Sequence, residues 1–222
     1  MKTSDLIELL VANVASVKRL RPPLVRAILW LLFAAFVLFL IGISHGVRLD
    51  FAERIQQPMF VIGIIASLST GILAAIASFM ISLPDRSRLW LLLPIPTFVV
   101  WMTTIGYGCL AAWVSVGPMG IRLGDAVECL VTLILTSVPT SAAMLIMLRY
   151  AALYRAVPVA TMGSLAVAAI TASGLLIFHP LDATAMILMW NLGTAVIIVG
   201  LGSLFGRGLF TWAAMRLLPQ RR

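Results

Sequence analysis

Six long apolar runs fill most of the chain, at about 26–45, 58–82, 89–116, 126–148, 157–178 and 184–206. Each reaches the ~20 residues that an apolar helix needs to cross a ~30 Å hydrocarbon core. The runs are continuous. They lack the roughly ten-residue alternation of membrane β-strands, so a barrel is excluded. The pattern predicts an all-α fold: a polytopic membrane bundle of six transmembrane helices. Pro94, Pro96 and Pro139 fall inside runs and predict kinks, which membrane helices tolerate because neighbours satisfy the freed backbone groups.

The first 25 residues follow a different pattern. Asp5 can cap a helix, with Glu8 three residues on as its capping-box partner. Leu6, Leu10, Val14 and Val17 then share one helical face. Lys18, Arg19 and Arg21 follow at the end of the helix, where cations suit its dipole, and Pro22-Pro23 stops it. The segment predicts a short amphipathic helix. It does not read as a secretory signal, because it begins acidic and no small-residue cleavage site follows its apolar run. The chain thus divides into an amphipathic segment (1–25), a transmembrane domain (26–206) and a basic tail (207–222).

Composition agrees with this division. Hydrophobic residues make up 62% of the 222 positions and charged residues only 11%, against about 25% charged in soluble domains. The formal charge of +8 raises the question of nucleic acid. Position answers it. Thirteen of the sixteen Lys and Arg fall in the segments on one side of the alternating runs; only Arg48, Arg54 and Arg122 fall on the other. Cytoplasmic connections collect Lys and Arg, so both termini are expected in the cytoplasm. The loop Gly117–Asp125 is expected outside. Topology explains the charge, and a nucleic-acid partner is not needed.

Enzyme motifs are missing: there is no P-loop, HExxH, nucleophile elbow or paired-carboxylate site. The protein is expected not to be an enzyme. Gly200, Gly202 and Gly206 follow no strand, and Gly202 with Gly206 forms a GxxxG that permits close helix contact. The middle of each run carries no charge, which argues against an ion-coupled carrier. Asn191, inside the sixth run, suits an inter-helix hydrogen bond.

The versatile side chains gather at the outward helix ends: His45, Cys109, Cys129, His179 and Asp182. For any one of them, packing or an interfacial position is the simpler reading. As a set they suggest redox or metal sensing. Cys109, Cys129 and His179 are the donors suited to a transient soft metal ion. Two thiols facing an oxidising compartment can instead form a disulfide. With helix ends near Val116 and Ala126, the cysteines are offset by roughly 6 Å along the axis. Bridged Cα atoms lie ~4.4–6.8 Å apart, whereas packed helices are ~8–10 Å apart. That register favours a pair that meets in one conformation over a standing bridge.

The opening Met-Lys-Thr-Ser-Asp-Leu-Ile-Glu-Leu-Leu, the Arg19-Leu20-Arg21-Pro22-Pro23 before the first run, and the spacing Gly108-Cys109, Trp113, Gly117-Pro118, Gly120, Gly124 and Cys129 together resemble the NrsF family. So does the turn Phe178-His179-Pro180-Leu181-Asp182. The resemblance spans essentially the whole chain. It implies a six-helix anti-sigma factor of the bacterial inner membrane that captures an extracytoplasmic-function sigma factor of the sigma-F type in the cytoplasm. It also implies release under oxidative or metal stress, with Cys109 and Cys129 taking part. The residues themselves fit such a role: Asp5, Leu6, Glu8, Leu10, Val14 and Val17 form the binding element, since an amphipathic helix can enter a groove on a partner. The competing reading of that helix is adsorption to the inner leaflet of the bilayer through Lys18, Arg19 and Arg21. The rival function is a small-solute or metal transporter. A membrane oxidoreductase is weaker still, because haem wants paired histidines within the membrane and His45 and His179 lie at one face.

Overall fold

A computed structural model of the chain describes residues 21–46, 50–115, 123–148 and 155–178. Among these residues it contains six α-helices, one 3-10 helix and no strand: α1 (Pro23–His45), α2 (Phe51–Arg54), α3 (Pro58–Ile81), the 3-10 helix Arg88–Leu92, α4 (Ile95–Ser115), α5 (Leu123–Leu148) and α6 (Ala156–Phe178). Five spans are long and apolar enough to cross a membrane: α1, α3, the 3-10 helix continuing into α4, α5 and α6. The fold is a helical membrane bundle. The sixth predicted run (184–206), the amphipathic segment up to residue 20 and the tail 207–222 lie outside the described residues.

Local chemistry sets the helix ends. Pro23 opens α1 and Pro58 opens α3, positions where a missing N–H costs nothing. Gly46 ends α1 at φ +76°, a left-handed conformation that glycine adopts readily, and its N–H closes back on the Gly42 carbonyl at 3.0 Å. Ser82, just past α3, donates its hydroxyl to the Phe79 carbonyl at 2.7 Å. Ser87 caps the 3-10 helix by accepting from the Leu89 N–H at 3.2 Å.

Three boundaries differ from expectation. The run 89–116 is not one helix: it is a 3-10 turn followed by α4. Pro94 and Pro96 lack the N–H groups that would bond the carbonyls of Trp90 and Leu92, so an α-helix cannot pass through. The chain uses tighter bonds there, with Leu93 N–H on Trp90 O at 3.2 Å, and restarts with Phe98 N–H on Pro94 O at 2.9 Å. The connection Gly46–Gln57 holds α2, steadied by an Arg54–Asp50 ion pair at 3.4 Å and by Phe51 edge-on to Phe60. Leu123, Gly124 and Asp125 belong to α5 rather than to the preceding loop.

The core lies between α3 and α6. Gly63, Ser67, Gly71, Ala74 and Ser78 recur at helical spacing on the buried face of α3. Small residues let membrane helices approach closely, and hydroxyls then bond across the contact. Ser67 and Ser173 hydroxyls sit 2.8 Å apart, and Ser78 donates to the Val159 carbonyl at 3.1 Å. A β-carbon added at Gly71 would lie 2.8 Å from the Ile170 side chain. Trp101 fixes α4 within a cluster of Ala66, Ala169 and Ala172, and Thr70 donates to Thr97 at 3.1 Å. Trp30 is fully buried and donates its indole N–H to the Thr140 carbonyl at 3.0 Å, joining α1 to α5. The opposite side of α1 remains exposed at Leu32, Phe36, Phe39 and Ile43, as a lipid-facing surface would be.

Candidate functional site

Up-and-down alternation gives the bundle two chemically different ends. One gathers the start of α1, the end of α3, the 3-10 helix, the end of α5 and the start of α6. Arg155, just before α6, ties this end together. Its guanidinium donates to the Arg86 carbonyl at 2.8 Å and to the Pro84 carbonyl at 3.0 Å, clamping the turn after α3 onto α6. Such charge-assisted forks are stronger than neutral hydrogen bonds. Arg86 and Arg88 beside the clamp are exposed. Arg21 and Arg26 stand at the start of α1, so five arginines are described at this end, with Asp85 the described acid.

Arg26 behaves unlike the others. It is 6% exposed, and its guanidinium carbon lies 5.2 Å from the centre of the Phe79 ring, within reach of a cation–π attraction. Its Nη2 is buried and has no hydrogen-bond partner among the described residues. Sequence reasoning counted Arg26 only as a topological charge. The usable signal was its spacing: Arg26, Trp30, Ala34, Val37 and Ile41 share the buried face of α1.

The other end gathers the end of α1, α2, the start of α3, the end of α4, the start of α5 and the end of α6. Gly42 lies against the Phe178 ring here, and Gly63 against Thr104. His45 is the last residue of α1. Cys109 lies six residues before the end of α4, and Cys129 six residues after the start of α5. Their backbones therefore come out at this one end. The side chains of His45 and of residues 108–130 lie outside the described part of the structure, as do His179 and Asp182 altogether. Among the described residues, no group of three or more His, Cys, Asp or Glu is placed to hold a metal ion. The proposed partner-binding residues Asp5, Leu6, Glu8, Leu10, Val14 and Val17 also lie outside them.

Cys109 lies six residues before Ser115, the last described residue of α4, and Cys129 six residues after Leu123, the first described residue of α5. What separates the helices is their packing. Among the described residues, α4 rests mainly on α3 and meets α6 through the Trp101 cluster, whereas α5 rests on α1 and α6.

No curated protein and no solved structure matches the chain. A family does: residues 10–212 match NrsF, the negative regulator of sigma F. That match takes in all five described spans as well as the run 184–206 and both cysteines. This helical membrane bundle therefore belongs to the NrsF family of negative regulators of sigma F.

Proposed function

We propose that the protein is an anti-sigma factor of the bacterial inner membrane, which holds an extracytoplasmic-function sigma factor at the cytoplasmic face and releases it under oxidative or metal stress. The family match across residues 10–212 carries this reading. The protein acts by binding, not by catalysis. The arginine-rich end is the cytoplasmic one, because cytoplasmic connections collect Lys and Arg. The amphipathic segment enters a groove on the sigma factor through Leu6, Leu10, Val14 and Val17. The opposite end, with His45, Cys109, Cys129, His179 and Asp182, senses the stress. Cys109 and Cys129 close either by oxidation or on one soft metal ion, with His179 as a further ligand.

Capture is tested by Leu6→Asp/Leu10→Asp, which puts two charges on the face that enters the partner. Target genes are expected to be transcribed without stress, while the protein still reaches the membrane at its normal level. Continued silence with the variant fully inserted removes the amphipathic segment from the mechanism. Orientation is tested separately. Reporters fused after Arg222 and within residues 117–122 are expected to report opposite compartments, the first cytoplasmic. A shared compartment overturns the topology.

A further inference from the structure

The unpartnered Arg26 marks a site of its own. It stands in the first turn of a 23-residue helix whose start has no side-chain cap and no acidic residue. Its Nη2 is buried without an acceptor among the described residues. A guanidinium presents a rigid fork of donors that matches phosphate and carboxylate oxygens. The unpaired N–H groups of a helix start favour an anion at the same place.

The neighbouring surface identifies the kind of anion. Leu29, Phe33, Phe36 and Leu40 follow Arg26 at spacings of three and four, and all are exposed at 38–56%. On a helix this is one continuous stripe beneath the arginine. From Leu29 to Leu40 it runs about 17 Å at 1.5 Å per residue, close to the ~15 Å depth of one leaflet's hydrocarbon. A protein carboxylate would have to enter the bilayer to share this stripe, whereas an acyl chain already lies there. We infer that Arg26 and the start of α1 bind the phosphate of an anionic phospholipid, whose acyl chain lies along Leu29, Phe33, Phe36 and Leu40. Arg26 is then both a packing element against Phe79 and the polar anchor of a bound lipid. Basic pockets at the ends of membrane helices have the charge to bind such headgroups.

The test uses the full-length protein, delipidated in neutral detergent. Bound lipid is read by native mass spectrometry, and thermal stability is read in parallel. Phosphatidylglycerol is expected to bind about fivefold tighter than phosphatidylcholine with the same acyl chains. Arg26→Gln should erase that preference, and Arg26→Lys should keep part of it, since charge remains but the fork is lost. Arg88→Gln, which removes an exposed arginine from the same end, should leave it intact. Equal binding of the two lipids by the unaltered protein overturns the inference, as does a preference that survives Arg26→Gln or falls equally with Arg88→Gln. Inorganic phosphate that stabilises as much as phosphatidylglycerol would make this a free-anion site and overturn the lipid assignment. So would Arg26-dependent stabilisation by the sigma factor without any from the lipid. Should Arg26→Gln fail to insert, the contrast between the two lipids on the unaltered protein and on Arg26→Lys still decides the matter.

Discussion

Gly71→Leu is expected to destabilise the bundle by about 3 kcal/mol or more, at or beyond the top of the usual range for overpacking a tight contact. The first added carbon would lie 2.8 Å from two side-chain atoms of Ile170 and 3.3 Å from its backbone nitrogen. A flexible side chain can turn away from such an approach; a helix backbone cannot. Leucine brings three further carbons to the same place. Separating the helices would relieve the clash, but the contact is held on both sides of Gly71. The Ser67–Ser173 pair lies one turn earlier on α3, and the Ser78–Val159 bond lies two turns later. Widening the seam would break the Ser67–Ser173 contact, though each keeps a carbonyl of its own helix (Ile64 and Ala169), and would leave the Ser78 hydroxyl without its Val159 partner. A fall in unfolding temperature of roughly 6–12 °C is expected for ~3 kcal/mol in a chain of this size. The matched control is Gly106→Leu, because an added β-carbon there meets nothing within 4 Å. Similar losses from both substitutions would mean that the α3–α6 seam is not where close approach matters.

The helices could be read from the sequence because span length and hydropathy are set by the bilayer rather than by the tertiary fold. Breaks within a run depend on finer chemistry. Pro94 and Pro96 remove two successive i→i−4 bonds within one turn, and the helix stops. Pro139 removes one, and α5 continues through it. The carbonyl it frees is that of Leu135, while the Thr140 hydroxyl donates to the Thr136 and Ser137 carbonyls at 2.7 and 3.2 Å in the same stretch. The start of α5 was misplaced because Gly124 and Asp125 suit a turn as well as a helix start. Which helices touch was the least legible feature. A membrane span is apolar all round, so hydropathy cannot distinguish its packed face from its lipid face. The small residues of α3 carried that information, as did Arg26, whose burial shows only once α1 and α3 are packed together. The helix ends bearing the two cysteines could be inferred from alternation alone. Their relative depth turns on residues 116–122, which lie outside the described ones.

Cys109→Ser and Cys129→Ser are expected to abolish induction by oxidants or soft metals while leaving insertion and repression intact. Under the proposed sensing role, the thiols must be apart at rest and together under stress. Among the described residues α4 is held by α3 through Trp101 and Thr97, and α5 is held by α1 through Trp30 and Thr140. Drawing the cysteines together therefore strains α4 against α3 and α5 against α1, while α6 touches both. A new bond shifts such an equilibrium only by the difference in free energy it contributes to the two arrangements. A shift from 1:99 to 99:1 takes about 5.5 kcal/mol, within reach of a disulfide or of a metal held by two thiolates. The far ends of both helices lead into the arginine-rich end, where Arg155 clamps the turn before α4, so displacement at one end can be felt at the other. Either single substitution should match the double, because one lost thiol abolishes the pair. The measurement is thiol labelling of the full-length protein in unstressed and stressed cells, beside transcription of the target genes. Labelling should be strong at rest and weak under stress. Normal induction in the double variant would reduce both cysteines to packing residues, and protection from labelling before stress would mean a pair already closed at rest.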